Sequence, residues 1–401
     1  MRRSSAIALA ALVAVATIAA PAPAAASECA GAQQSVSGIA FAATCAGVAQ
    51  LLLDPTIGDE DAAALQAQVA SDVEAVQAEF DLAFDPRPRI HVLASTERYA
   101  AALHAIFGYP TATARWVADN SVSFFEPSLR SIAVNWEAVR VRRPVAAIRH
   151  ELTHLITLRA CAPRCDLVPA WLNEGQARFA EAFTDGSAWR ELRMRYEAAS
   201  LVATGTLLPL TALVTQSSWN AITGWDGYYK YEEAARAVEL LRADIGASPM
   251  PRLYAQLRAG RNVAEAYAWL TGRSFADFVD TLPARMRGDD ATAGIATTAG
   301  TPEGAGTSYV LYAFPPESAV TVSVNGTRSA SSDLVRVSPQ GAWFGWLDPS
   351  LPAGLYAITA AAGSTCASAV IVKRAGWRDT RDPEDNARPH GRCPRIITRA
   401  R

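Results

Sequence analysis

The sequence predicts an α+β protein, with an N-terminal domain that combines a small sheet and a helical lobe, followed by a C-terminal β-sandwich. Strand and helix patterns alternate up to about residue 136, and helical patterns dominate residues 145–286. Short segments separated by turn residues follow residue 308. With 401 residues, the chain is long enough for two or three domains.

Composition excludes two classes of protein. Hydrophobic residues make up 50% of the chain and charged residues 19%, which excludes a disordered protein. The formal net charge is −2, so the chain lacks the surplus of basic residues that is typical of nucleic-acid binding. We therefore expect a globular protein without a nucleic-acid partner.

The N-terminus has the features of a secretory signal peptide, predicted to span residues 1–26. Arg2 and Arg3 precede an apolar run at residues 6–20, and small residues with an Ala-x-Ala end predict cleavage after Ala26. The run has about fifteen residues, whereas a membrane-spanning helix needs about twenty. No other run in the sequence approaches this length. The mature protein is therefore expected to be secreted or extracytoplasmic, without a membrane span.

Six cysteines follow the predicted cleavage point. An even number in an oxidising compartment predicts disulfide bonds. Six cysteines allow 15 connectivities, which stay open, but local pairs in chain order are favoured because each pair lies within one segment. The favoured pairs are Cys29–Cys45, Cys161–Cys165 and Cys366–Cys393.

The N-terminal domain is predicted to span residues 27–287. Apolar residues recur at steps of three and four from Asp59 to Phe84, which predicts an amphipathic helix. Strands are predicted at residues 89–94 and 121–136, with a helix at 95–107 between them, capped by Ser95 or Thr96. The main helices that follow are predicted at residues 145–159, 170–183, 228–245 and 251–258.

The C-terminal part is predicted to contain a linker, a sandwich and a tail. Residues 288–307 are mostly small or polar, with Ile295 as the only larger aliphatic residue, which predicts a flexible linker between independently folded halves. Six short segments within residues 308–373 predict an immunoglobulin-like β-sandwich, and Asn325-Gly326 is typical of a hairpin turn. Residues 374–401 form a polar tail, either held by Cys393 or disordered.

One helix carries an HExxH motif, His150-Glu151-Leu152-Thr153-His154. At about 100° per residue, its two histidines lie about 40° apart on one helix face. The opposite face is apolar, with Val145, Ile148, Leu152, Leu155 and Ile156. Histidines spaced i and i+4 can bind one Zn²⁺, and Glu151 can act on a water at that metal.

A catalytic zinc site needs a third protein ligand. Pro169-Ala170-Trp171-Leu172-Asn173-Glu174-Gly175 begins the next predicted helix. Two helices joined by a short loop usually pack antiparallel, which can bring Glu174 opposite the histidines. The predicted zinc ligands are therefore His150, His154 and Glu174.

The motif pair HELTH and WLNEG resembles the gluzincin zinc metallopeptidases, specifically the peptidase MA-like group related to aminopeptidase N and thermolysin. The similarity extends from about Leu65 to Met286 and includes GYYKYEEAARAVELLRADIG, which is similar to the family's tyrosine-containing helix. The resemblance implies that the three predicted ligands bind zinc and that Glu151 is the general base. It also implies that Tyr231 stabilises the oxyanion, with Tyr228 and Tyr229 as alternatives.

The chain departs from this family in two places. Nothing between Arg115 and Trp136 matches the Gly-x-Met-Glu-Asn stretch with which aminopeptidase relatives bind a free amino group, so the resemblance does not imply aminopeptidase activity. In addition, 19 residues separate His154 from Glu174, one more than in those aminopeptidases. A loop can absorb this difference.

Other residues have structural interpretations. His91 and His104 are expected to be structural histidines with satisfied hydrogen bonds. Cys161 and Cys165 could in principle bind a metal, but an exported protein and a complete ligand set nearby favour a disulfide that stiffens the loop between the ligand helices. An aromatic cluster either lines a substrate cleft or packs in the core, and consists of Trp219, Trp225, Tyr228 and Tyr229.

The sequence thus predicts a secreted zinc-dependent peptidase that hydrolyses peptide bonds in peptides or proteins. The alternative is an exported binding or cell-surface protein that keeps the metallopeptidase fold without turnover. Glu151 favours the peptidase, because a structural zinc site has no need for a base. Substrate preference, endo- or exopeptidase action and oligomeric state are not predicted.

Overall fold

The computed structural model describes residues 33–140, 146–182, 188–288, 292–297, 308–326, 330–347, 351–352 and 354–373. These residues combine helices and sheets as expected for an α+β protein. The predicted signal peptide and polar tail lie outside them. Within the described ranges, no helix is both long and apolar enough to cross a membrane.

The N-terminal part contains one sheet of six strands in the order β1-β2-β3-β4-β6-β5. Strands β3, β4 and β6 run parallel, the other neighbours pair antiparallel, and β5 forms one edge. The strands are β1 Gln33–Val36, β2 Ile39–Ala46, β3 Ala49–Leu53, β4 Arg89–Leu93, β5 Ser123–Glu126 and β6 Ser131–Asn135.

Helices cover this sheet and continue as a lobe beyond it. Ser95 caps α2 by accepting a hydrogen bond from the Arg98 backbone N–H at 3.3 Å. Of the two predicted caps, Ser95 and Thr96, the first is therefore the one observed. The helices are α1 Asp59–Phe80, α2 Thr96–Ala105, α3 Thr111–Asn120, α4 Trp136–Val139, α5 Ala146–Cys161, α6 Ala170–Glu181, α7 Ala188–Thr204, α8 Gln216–Ala221, α9 Gly224–Ile245, α10 Pro249–Arg258, α11 Val263–Thr271 and α12 Phe275–Arg287.

The two faces of the sheet enter different hydrophobic cores, because successive side chains of a strand point to opposite sides. Ile90 and Val92 of β4 belong to the larger core, which also contains residues of α1 and α5. Leu93 of β4 and Leu52 of β3 belong to the smaller core beneath α2 and α3. The sheet therefore separates α5 from α2 and α3.

The apolar face of α5 is buried as the helical pattern predicted. Ile148, Leu152 and Ile156 are fully buried in the larger core. Val145, also predicted on this face, lies outside the described residues. Burying this face in the core places the two histidines on the opposite face of α5.

The C-terminal part contains a four-stranded sheet, β10-β9-β12-β13, and a three-stranded sheet, β11-β8-β7. Both sheets contribute to one hydrophobic cluster that includes Leu311, Val322 and Ile358. The strands are β7 Gly294–Thr297, β8 Ser308–Tyr312, β9 Ala319–Gly326, β10 Ala330–Arg336, β11 Trp343–Trp346, β12 Gly354–Ala362 and β13 Thr365–Lys373.

Strand β7 lies within the segment that the sequence predicted to be a flexible linker. Its four residues are buried and pair with β8, with Ile295 opposite Leu311. Gly294, one of the small residues that suggested a linker, is required by close packing, because a Cβ there would lie 2.2 Å from the Tyr312 ring. Composition alone does not distinguish such a strand from a linker.

The C-terminal sheets also pack directly on the helical lobe. Leu192 of α7 is fully buried in a cluster with Val310 and Tyr312 of β8. The Ser200 hydroxyl of α7 donates to the Gln340 carbonyl at 2.6 Å and accepts from the Ala313 backbone N–H at 3.0 Å. This interface differs from the independent halves that the linker prediction implied.

Cys161 and Cys165 form a disulfide bond, with their Cα atoms 4.8 Å apart, in the loop between α5 and α6. Cys45 and Cys366 are also disulfide-bonded. Their predicted partners, Cys29 and Cys393, lie outside the described residues.

We predict that Leu192→Ala destabilises both halves of the protein, because they unfold as one coupled unit. Removing this buried side chain should destabilise the protein by about 2–5 kcal/mol. Because Leu192 contacts both α7 and β8 neighbours, hydrogen exchange should accelerate in the C-terminal sheets as well as in the helical lobe. Faster exchange confined to the helices would instead support independent halves.

Candidate metal centre

The structure brings the three predicted ligands together. Glu174 Oε2 lies 3.5 Å from His150 Nε2 and 3.6 Å from His154 Nε2. One ligand atom from each residue lies within 4.8 Å of the others. The three side chains are only 10–13% exposed. Two imidazole nitrogens and one carboxylate oxygen form a donor set that fits a divalent transition metal.

The other polar atoms of these ligands have partners that fix their orientation. His150 Nδ1 is 2.6 Å from Glu181 Oε1, and His154 Nδ1 is 3.1 Å from Asn173 Oδ1. These acceptors favour a proton on each Nδ1 and leave each Nε2 for a metal. Gln216 Nε2 donates to Glu174 Oε1 at 3.2 Å, so Oε2 is the carboxylate oxygen that faces the histidines.

The electrostatics of the centre favour a positive charge between the ligands. Burial alone would raise the pKa of Glu174, but the two histidines outweigh it and hold that pKa well below its usual range. Burial alone would lower the pKa of His150, but Glu174 and Glu181 outweigh it and raise the pKa to about 10. A bound divalent cation would supply the positive charge in place of a proton.

Glu181 belongs to a buried chain of charges behind His150. Arg178 forms ion pairs with both Glu181 and Glu232, and its Nε donates to Glu232 at 3.1 Å. Burial alone would raise the pKa of Glu181, but Arg178 and His150 hold it well below its usual range. Glu181 therefore remains an anion that accepts from His150.

Glu151 faces the edge strand of the sheet. It is buried, and its Oε1 accepts a hydrogen bond from the Ser123 hydroxyl of β5 at 2.7 Å. Phe125, on the same strand, stacks on His154 with a ring-centroid distance of 6.4 Å. Strand β5 thus contacts both the predicted base and a predicted ligand.

Of the candidate tyrosines, Tyr231 lies beside the predicted ligands. Its ring centroid is 6.3 Å from that of His150, and Trp219 packs edge-on against it at 4.9 Å. Burial and the charge of Glu174 raise the pKa of Tyr231, so its hydroxyl keeps its proton at neutral pH. Tyr229 donates instead to Ser338 of the C-terminal part at 3.1 Å, and Tyr228 is 42% exposed.

The aromatic cluster divides between core and surface. Trp219 and Tyr229 are buried, whereas Trp225 and Tyr228 are exposed. Trp225 stacks on Tyr229 with a centroid distance of 6.1 Å. Core packing accounts for the buried pair, and Trp219 also borders the metal centre through Tyr231.

Several residues of the site were not found from the sequence. Asn173 adjoins Glu174, and Glu181 follows it by seven residues, which is two helical turns on the same face. That spacing was an available signal for Glu181. Ser123 and Gln216 carry no such signal, because they approach the site only through the tertiary fold.

The remaining predicted structural histidines differ from each other. His104 Nδ1 lies 2.6 Å from the Tyr109 carbonyl oxygen, as expected for a satisfied histidine. His91 is 2% exposed, and its Nδ1 has no hydrogen-bond partner among the described residues. The expectation of a satisfied hydrogen bond is therefore not met at His91 Nδ1.

Glu233, two residues after Tyr231 on α9, is a buried carboxyl group. Its Oε2 accepts from the Leu208 backbone N–H at 3.1 Å, whereas Oε1 has no partner within the described part of the chain. Burial, with a smaller contribution from Asp226, raises the pKa of Glu233 to about 8. The group is therefore mostly neutral at pH 7 in the folded protein.

In comparisons with known proteins, no protein-family model and no curated protein matches this chain.

We predict that Glu181→Gln weakens metal binding about tenfold, at the lower end of the effect typical of an outer-shell partner. The amide can still accept from His150, but the negative charge is lost. Titration with Zn²⁺ against a competing chelator measures the affinity. Glu79→Gln, which removes a charge paired with Arg242 elsewhere, is the matched control and should leave affinity unchanged. Unchanged metal affinity in Glu181→Gln would contradict the claim that the Glu181 charge strengthens metal binding.

We predict that Glu233 makes stability fall as the pH rises. The unfolded carboxyl has a pKa near 4.5, so between pH 4.5 and about 8 the folded state binds more protons than the unfolded state. Glu233→Gln should remove a dependence of up to about 1.4 kcal/mol per pH unit. Urea unfolding at pH 5 and pH 8 tests this, with the exposed Glu60→Gln as control. Equal pH dependence in both variants would refute the assignment.

Proposed function

We propose that the protein is a secreted zinc-dependent peptidase of the gluzincin type. The observation that carries this proposal is the convergence of His150, His154 and Glu174 beside the buried carboxylate of Glu151. Zinc is the metal proposed because two imidazoles and one carboxylate are a ligand set typical of catalytic zinc. We further propose that the two C-terminal sheets form an immunoglobulin-like β-sandwich.

A bound zinc would polarise the scissile carbonyl and activate the attacking water. Glu151 would accept the proton of that water and return it to the leaving amine. The Ser123 hydroxyl holds one oxygen of Glu151, which leaves the other for proton transfer. Tyr231 keeps its proton at neutral pH, so its hydroxyl can donate to the oxyanion that develops on the substrate.

The position of β5 supports a peptide substrate. This strand is at the edge of the sheet and lies against α5 through Ser123 and Phe125. An edge strand can pair with the backbone of an extended peptide through main-chain hydrogen bonds. A peptide added there would run past the metal centre, which supports hydrolysis of backbone amides in peptides or proteins.

The second candidate is an exported binding or cell-surface protein without turnover. The buried charge chain behind His150 would serve a structural metal equally well. The buried Glu151 favours the peptidase, because a carboxylate that does not bind metal adds a desolvation cost without adding a ligand. The two functions differ in turnover, not in metal binding.

We predict that Glu151→Gln removes the proposed base and leaves metal binding unchanged. The amide keeps the size of the side chain and leaves every ligand in place, so zinc content should match that of the parent. Turnover of a mixed peptide library should fall by about 10²- to 10⁴-fold, because the amide cannot accept the proton.

Zinc content by elemental analysis and cleavage by mass spectrometry are measured on the same samples. Glu60→Gln, the same chemical change at an exposed position of α1 outside the metal centre, serves as the control. Full turnover in zinc-loaded Glu151→Gln would exclude this residue as the base. Absence of turnover in parent and variant alike, with zinc bound, would favour the binding protein.

A further inference from the structure

A cleft of about 910 Å³ lies on the N-terminal sheet where β4 and β6 begin. Its floor includes Leu52 and His91, which face the side of the sheet covered by α2 and α3. The metal centre is carried by α5 on the opposite side. The volume is in the range of pockets that hold small organic ligands. This cleft is therefore a separate candidate site.

The cleft is lined by basic residues. Arg87, Arg89 and Arg130 line it, and no Asp or Glu does so within the described residues. Neither Arg89 nor Arg130 forms an ion pair in the part of the chain that the structure describes. This is a local positive surplus in a chain of net charge −2. Planar guanidinium groups match carboxylate and phosphate oxygens.

The strand register brings two of these arginines near one another. Arg89 begins β4, and its partner in the parallel pairing is Ser131, the first residue of β6. Arg130 directly precedes Ser131, so both arginines border the same end of the cleft. Two guanidinium groups at one end can contact a single anionic group from two sides.

His91 on the floor is a second, independent feature. It is 2% exposed, and its ring packs edge-on against Phe41 and Phe107 with centroid distances of 5.4 and 5.7 Å. Its Nδ1 has no hydrogen-bond partner among the described residues. Burial and the nearby Arg89 lower the pKa of His91 to about 4, so the ring is neutral. A buried polar atom without a hydrogen-bond partner is costly.

The remainder of the lining indicates what the rest of the ligand contacts. Val36, Leu52 and Ile106 line the cleft together with the arginines. Gln50 Nε2 donates to Gln34 Oε1 at 3.2 Å, so these two polar side chains are partly satisfied by each other. The cleft thus combines a cationic end with an apolar surface.

We propose that this cleft binds a small organic anion, with its phosphate or carboxylate group between Arg89 and Arg130 and its apolar part against Val36 and Ile106. The site is independent of the proposed peptidase activity, because it uses none of the metal-centre residues and lies across the sheet from them.

The test uses the full chain and five probes in calorimetric titrations, one of which is a tetraglutamate peptide. Phenyl phosphate and benzoate carry an anion on an apolar ring, inorganic phosphate lacks the ring, and benzyl alcohol lacks the charge. We expect phenyl phosphate, benzoate or both to bind more tightly than inorganic phosphate, and benzyl alcohol not to bind. Absence of binding by both ring anions, or binding of a tetraglutamate peptide but of neither ring anion, would overturn the proposal.

Variants locate the binding. Arg89→Ala and Arg130→Ala should each weaken binding of the ring anion about tenfold, the lower end for a hydrogen bond to a charged group. Arg258→Ala, an exposed arginine of α10 outside the cleft, is the matched control and should bind like the parent. Equal weakening in all three variants would reveal non-specific charge attraction and overturn the proposal.

A last variant separates this site from the metal centre. Glu174→Ala should bind the ring anion as the parent does, whatever happens to its metal content or turnover. Loss of binding in Glu174→Ala would place the anion at the metal centre and overturn the proposal. Failure of the peptidase proposal leaves these binding measurements unaffected.

Discussion

The arrangement of the candidate metal centre depends on the largely buried ion pairs of Arg178. This guanidinium contacts Glu181, which orients His150 on α5, and Glu232 on α9. A buried charge that loses its partner costs several kcal/mol, so each member of the chain holds the next in place. The network continues to Arg193 of α7, whose nitrogen lies 3.9 Å from Glu232. Four helices, α5, α6, α7 and α9, are thereby linked around one candidate metal ligand.

The same region requires an unusually close approach of α6 to α9. A Cβ on Gly175 would lie 2.5 Å from the Ala234 carbonyl oxygen, so only glycine fits at this contact. Glu174 and Tyr231 stand on the two helices that meet there. The glycine of WLNEG therefore explains how a ligand and a tyrosine from distant segments reach the same centre. On α7, Arg193 also lies over the Phe344 ring of β11 at 5.0 Å, which links the C-terminal part to this packing.

The sequence predicted what depends on local geometry. The apolar face of α5 and the pairing of its two histidines follow from helical periodicity, and Glu174 follows from a short loop between two helices. Prediction failed where a residue's role depends on a partner far along the chain. Ser123 meets Glu151 only because β5 pairs at the sheet edge. Strands β1 to β3 were not assigned at all, and β7 was assigned to a linker because its small residues resemble linker composition.

The hairpin of β5 and β6 connects the two sides of the N-terminal sheet. At its start, Ser123 holds the carboxylate of Glu151 on the side of α5. At its turn, Arg130 borders the basic cleft, and Ser131 follows as the first residue of β6. Because β5 is an edge strand held by β6 alone among the described strands, its position depends on this one pairing. The strand that positions the proposed base therefore continues into the turn that borders the cleft, although the two sites share no residue.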